Sequence, residues 1–217
     1  MPLFLRLLGG IIACTAIGAV LLRWQVNGWG SIAWLLCAVL VTVIRQPYAK
    51  RTAGNTITET HAASTEKLLL GLVMIGGTFL PLLHLATGVL ASANYTLPTW
   101  APLIGVAALV PGLWLFWRSH DDLGRNWSVT TQIREDHSLT SQGVYERVRH
   151  PMYTAIWILC AVQPLFVHNG IAGFSGLVAF ALLYFVRVPY EEAMMRERFG
   201  SAYEAYCART GRLFPKF

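Results

Sequence analysis

Charged residues are crowded into three stretches of this chain, and between them run apolar segments of about 16–25 residues, each close to the roughly 20 that a helix needs to cross a bilayer. Composition agrees: 55% of residues are hydrophobic and only 13% charged, where an ordinary globular chain carries about 25% charge. A disordered chain, a secreted disulfide scaffold and most soluble folds are excluded. The expected class is an all-α, polytopic membrane helix bundle.

The four cysteines, Cys14, Cys37, Cys160 and Cys207, have no metal or redox spacing. Three lie inside apolar stretches, so free thiols are expected. Ile11-Ile12-Ala13-Cys14 has the form of a lipoprotein cleavage box. Yet Arg6 sits inside the apolar run rather than before it, and further spans follow. The first segment therefore reads as a retained span.

Six segments qualify as membrane helices: about 3–22, 29–44, 68–91, 98–117, 151–167 and 171–188. Pro81, Pro102 and Pro111 fall in the third and fourth, where neighbouring helices can take up the freed carbonyls. The fifth is short and holds Pro164, so it is either tilted or forms a hairpin with the sixth. Of the seventeen basic residues, four, five and six lie in 45–67, 118–150 and 187–217; the connections on the other side hold one, none and none. All eleven acidic residues share the charged segments. This bias predicts cytoplasmic N- and C-termini. The net charge of +6 is explained by it and by anionic membrane lipids, with no nucleic-acid partner needed. Few ionisable groups lie within the spans, Arg6 near an end and His84 mid-segment, whereas a coupled transporter would place acids or bases at depth. The chemistry is expected at the cytoplasmic interface, with 1–117 as N-terminal spans and 118–217 as the functional region.

Two polar regions carry the motifs. Arg147-Val148-Arg149-His150-Pro151-Met152-Tyr153 opens the fifth helix. Proline suits the first helical position, His150 is a candidate cap, and His150 and Tyr153 are spaced to reach one ligand. The exposed N–H groups at that helix start favour an anion. A headgroup-level belt of arginine and tyrosine would look the same. Upstream, Gln132 to Leu139 and Gly143-Val144-Tyr145 form either a loop that folds over a ligand or a plain connector. His137 has no metal spacing to His120 or His150, and no metal is expected. The sixth span ends in Arg187-Val188-Pro189-Tyr190-Glu191-Glu192, a compact charged cluster in which Arg187 and Glu191 are also placed for a plain helical ion pair. Gly200 is a stop, and Ser201-Ala202-Tyr203-Glu204 has the form of a capping box opening a short helix that ends near Gly211. Nucleophile elbows, zinc-protease, Walker and Rossmann signatures are absent from the sequence.

Taken in order, His137-x-Leu139-x-x-x-Gly143-Val144-Tyr145, Arg149-His150-Pro151-x-Tyr153, Arg187-x-x-x-Glu191-Glu192, Phe199-Gly200-x-x-Tyr203-x-x-Tyr206 and Pro215 resemble the isoprenylcysteine carboxyl methyltransferase family. The likeness covers roughly residues 115–217. It implies methyl transfer from S-adenosylmethionine (SAM), leaving S-adenosylhomocysteine, at the cytoplasmic face. It places Gln132, His137, Leu139, Val144, Tyr145, Arg149, His150, Tyr153, Glu191 and Tyr203 at the cofactor and Arg187 and Glu192 in catalytic positions. The implied partner is a lipophilic or prenylated acceptor arriving from the bilayer, a prenylcysteine-like carboxylate first and phospholipid amines or small thiols second. Arg187 would clamp an acceptor carboxylate through its planar fork, and Glu192 would orient Arg187, pair with cationic groups of the donor, or take a proton from an amine. The membrane would be a bacterial inner membrane, or endoplasmic reticulum in a eukaryote. A nicotinamide-dependent membrane reductase and a non-enzymatic lipid carrier are the alternatives from other classes.

Overall fold

The computed structural model describes residues 3–52, 59–60, 63–124, 132–133 and 139–216. Its helices are α1 (Leu3–Leu22), α2 (Trp24–Asn27), α3 (Gly30–Thr52), α4 (Ala63–Met74), α5 (Leu80–Thr87), α6 (Ala101–Leu123), α7 (Pro151–Phe166), α8 (Ser175–Phe199) and α9 (Ser201–Arg209). A π-helical turn, Ile75–Phe79, joins α4 to α5 as one rod. The strands among the described residues are β1 (Glu59–Thr60) and β2 (Gln132–Ile133), an antiparallel pair with Thr60 opposite Gln132.

The all-helical expectation is met, and each of the six expected segments corresponds to one rod. Among the described residues, three stretches, Gly30–Arg51, Ser64–Thr87 and Ala101–Leu123, are long and apolar enough to cross a membrane, and Pro151–Phe166 is a shorter apolar helix. Several rods run past the expected ends. α3 continues beyond residue 44 through Pro47, and α8 beyond residue 188 through Pro189. The apolar pattern stops where the membrane would stop, but the backbone ladder continues with polar side chains; each proline removes one rung and crowds the carbonyl four residues back without ending the helix.

Pro81 has a specific accommodation. In the π register its missing N–H would have met the Gly76 carbonyl. That oxygen instead accepts Ser175 Oγ at 2.7 Å and Gln163 Nε2 at 3.2 Å. Gly76 is needed for this approach, because a Cβ there would stand 2.5 Å from the Ser175 carbonyl oxygen. The long rod is thereby stitched to α7 and α8.

Two buried apolar clusters form the interior. One joins Val20, Trp34, Leu85, Leu109, Val162 and Phe166; the other joins Leu69, Tyr153, Phe180, Leu183, Tyr184 and Val188. The turn between α7 and α8 is held by Asn169, fully buried, whose Oδ1 accepts the Ile171 and Ala172 N–H groups while its Nδ2 donates to Leu90 O and Asn94 Oδ1. α7 and α8 thus form the expected helical hairpin. The opposite end of the bundle gathers the C-terminal ends of α3, α6 and α8 with the starts of α4 and α7, and there the charges meet.

Candidate functional site

Tail and hairpin are joined through the main chain. Arg149 N donates to Gly211 O (2.8 Å), His150 N to Arg212 O (3.0 Å) and Gly211 N to Arg147 O (3.1 Å). Tyr206 Oη adds a bond to the Tyr145 carbonyl at 2.6 Å, and Thr154 Oγ1 one to Leu213 O at 2.7 Å. The stretch 145–154 and the tail after α9, separate in sequence, form one unit over the ends of α7 and α8.

Glu192 lies at its centre, 1% exposed. Its Oε1 accepts from Arg212 Nε (3.0 Å) and Arg149 Nε (3.3 Å), and its Oε2 from Arg212 Nη2 (2.6 Å). His150 Nε2 stands 3.3 Å from Oε1, and Arg196 Nη2 3.8 Å from Oε2. Burial alone would raise this carboxyl, but the hydrogen bonds and charges of His150 and Arg212 outweigh it and hold it well below the ordinary carboxylate range. Arg149 also donates through Nη1 to Thr210 O at 2.5 Å and to Cys207 O at 3.4 Å.

Arg187 lies in a neighbouring cluster. Its Nε donates to Glu191 Oε1 at 2.7 Å, the same oxygen that accepts Tyr153 Oη at 2.7 Å. Its Nη1 is 3.3 Å from Oε1 of Glu66, a buried residue in the first turn of α4. His150 bridges the two clusters, with Nδ1 3.9 Å from Glu191 Oε2. Arg187 thus meets the carboxylates of Glu191 and Glu66, while Glu192 meets Arg149, His150 and Arg212 and ties the tail to the start of α7. Below the charges, Tyr153, Trp157, Phe180 and Tyr184 pack ring against ring, with Trp157 5.2 Å from Phe180 and 5.5 Å from Tyr184, both edge-on.

The other expected residues fall as follows. Val144 and Tyr145 lie in a short turn, Gly143–Glu146, anchored on α6: Val144 N donates to Asp122 Oδ2 (2.9 Å) and Tyr145 Oη to Ser119 O (3.2 Å). Gly143 adopts φ 60°, and a Cβ on it would collide with the Asp122 carboxylate. Tyr145 is buried, and burial raises its phenol above the usual range. Tyr203 and Tyr206 are buried on one face of α9, and burial pushes Tyr206 up to about 12; both remain neutral hydrogen-bonding groups. Leu139 is half-buried. Gln132 is placed by its backbone in β2, and His137 lies outside the described residues. A groove of about 510 Å³ is lined by Ser141, Gln142, Gly143, Glu146, Arg147 and Arg209, sequence neighbours of the expected site residues but none of them.

His150 is the N-cap residue of α7, as expected, though its ring turns to Glu192 and makes no cap hydrogen bond. One local expectation is revised. The capping box at Ser201 does not form: Ser201 is already helical, Gly200 is the flanking residue at φ 49°, and Glu204 instead accepts from Arg196 Nε at 2.9 Å.

Comparison with known proteins matches residues 104–197 to the family described as the isoprenylcysteine carboxyl methyltransferase (ICMT) family. Protein-S-isoprenylcysteine O-methyltransferase B of Arabidopsis thaliana is 29% identical over 112 residues, 51% of this chain and 57% of the relative, so the alignment spans little more than half of that enzyme. A probable protein-S-isoprenylcysteine O-methyltransferase of Oryza sativa subsp. indica is 24% identical over 179 residues, 82% of this chain and 92% of the relative. Among solved structures, the eukaryotic intramembrane Ras methyltransferase ICMT shares the fold at a TM-score of 0.52 and 18% identity, covering 89% of this chain and 67% of that one. The chain is thus similar to the isoprenylcysteine carboxyl methyltransferase family over the stretch that builds α7, most of α6 and most of α8, as its motifs had suggested.

Proposed function

We propose that this chain is an integral membrane methyltransferase that uses SAM to methylate a lipophilic acceptor, with the carboxylate of a prenylcysteine-like molecule as its substrate. One observation carries the reading: a set of guanidinium, imidazole, carboxylate and phenol groups, with Glu192 and Tyr153 buried and Arg187, His150 and Glu191 half-buried, sits at the ends of apolar rods. A donor bearing a cation, an amino acid group and an aromatic base needs this mixture, and an acceptor with a greasy tail needs the rods beside it.

SAM supplies an electrophilic methyl group. Gln132, His137, Leu139, Val144, Tyr145, Arg149, His150, Tyr153, Glu191 and Tyr203 would hold it. Arg187 binds the acceptor carboxylate, and Glu191 with Tyr153 fixes the direction of that guanidinium. The tail keeps water from the reacting groups, so rate enhancement rests on alignment in a dry pocket. A carboxylate acceptor needs no general base. Glu192, held ionised by the cations around it, is a poor one, which favours that acceptor over an amine. By the placement of lysine and arginine, the site and both termini face the cytoplasm.

The test is a labelled-methyl assay with purified protein, SAM, a panel of prenylated thiols and total membrane lipid. Base-labile label on prenylcysteine carboxylates is expected. Label on amines alone would transfer the reading to phospholipids. NADPH oxidation without methyl transfer would replace it with a reductase.

A further inference from the structure

We infer that Glu66 is a positioning residue: it holds the far end of the Arg187 guanidinium so that this group presents a fixed face to the acceptor's acid head. The inference rests on the methyltransferase reading above for what Arg187 binds. Glu66 lies outside residues 104–197, where the family match runs, and its role is read from contact geometry and charge.

Arg187 is held from two rods. Glu191, four residues on in the same helix, takes Nε. That contact fixes the near end of the fork but does not by itself fix the distal nitrogens. Glu66 reaches Nη1 from α4 at 3.3 Å, and the two side chains are only 10% and 12% exposed. Pinning a planar group at Nε and at Nη1 from different helices sets both its position and its plane, which a bidentate acid clamp requires. A second reason is charge. The charge of Arg45 on α3 also acts on Arg187, so Glu66 supplies negative charge where two cations share one half-buried end of the bundle. The first half of the chain therefore contributes to the site as well as to the spans.

The experiment uses the full chain in detergent or nanodiscs, with SAM and a prenylcysteine acceptor. Glu66→Gln keeps the shape and removes the charge. It should raise the acceptor KM by about ten-fold, the worth of one buried charged hydrogen bond, with the donor KM within about two-fold. In an Arg187→Lys background the same substitution should add less than about three-fold, because a lysine has no fork to orient. A merely structural role would lower active enzyme and leave both KM values unchanged, and that result overturns the inference. So does a rise in donor KM equal to the rise for the acceptor. A second measurement needs no turnover. In thermal unfolding, Glu66→Gln plus Arg187→Gln should lose no more than the larger single loss, and additive losses would show that Glu66 does not hold Arg187. A wild-type chain that methylates nothing sinks the methyltransferase reading, and this cycle then still decides the contact.

Discussion

Glu192 and Arg187 are five residues apart on one helix, yet they meet different partners. Glu192 accepts from both Arg149 and Arg212, so it closes the tail over α7. Replacing it with glutamine leaves the largely buried Arg149 guanidinium without this anion, which costs about 3–5 kcal/mol for a buried pair, while half-exposed Arg212 adds little. The pH dependence follows from its depressed carboxyl. Ionisation stabilises the fold fully above the usual carboxylate range of about 4.3, and the benefit fades as pH falls toward the lower folded value. The melting gap between wild type and Glu192→Gln should therefore be widest above about pH 5 and shrink in acid; a gap that widens in acid would contradict this. Arg187→Ala should abolish methyl transfer while S-adenosylhomocysteine titration gives an affinity within a few-fold of wild type. Spacing placed Arg187 with Glu191 and His150 with Tyr153 one helical turn apart, and the resemblance pointed to Arg149 and Glu192; Arg212, which meets Glu192, carried no signal in the sequence. Neither did Glu66. A lone acid in the first turn of a helix reads as a favourable end charge, and only the packing of α4 on α8 brings it to Arg187.

At the scale of elements, helix identity followed from the apolar runs, whereas helix ends did not. Hydropathy reports where lipid would end, so α3 and α8 outrun it by turns that are polar but still hydrogen-bonded. The π turn had no signature beyond Gly76-Gly77 ahead of Pro81, which also fits plain close packing of helices. Its role can be tested by Gly76→Ala. The added methyl must displace the backbone at Ser175, so the variant should melt lower by the equivalent of about 1–3 kcal/mol. Gly77→Ala, beside it, meets nothing within 4 Å and should melt within about 0.5 kcal/mol of wild type. Equal melting of the two variants would refute the account of how Pro81 is accommodated.

For the whole molecule, charge asymmetry predicted which ends of the rods lie together, and the contacts agree. Tyr48 of α3 meets Asp121 of α6, and Glu66 of α4 meets Arg187 of α8. At the far end, Asn27 meets the Leu85 carbonyl and Tyr95 that of Pro164. A membrane-impermeant thiol reagent tests the orientation in a cysteine-free background. Ser92→Cys, exposed at the far end, should label in intact cells, and Glu204→Cys, exposed on α9, only after permeabilisation. The reverse pattern would invert the topology. The loop that carries Gln132 and His137 was the least legible in the sequence, because a polar stretch with a glycine has the same composition whether it covers a ligand or only connects two rods.

The Glu66–Arg187 contact also constrains biogenesis. The ribosome makes the acid long before its counter-ion, a delay on the order of ten seconds at about 5–20 residues per second. During that interval the translocon handles a helix whose first turn carries a carboxylate that Arg187 has not yet met. Because Glu66 is in the first turn of its rod, it can wait in water at the lipid surface and be dehydrated only when α8 docks, so the order of synthesis itself favours an anion at the mouth of the bundle over one at its waist.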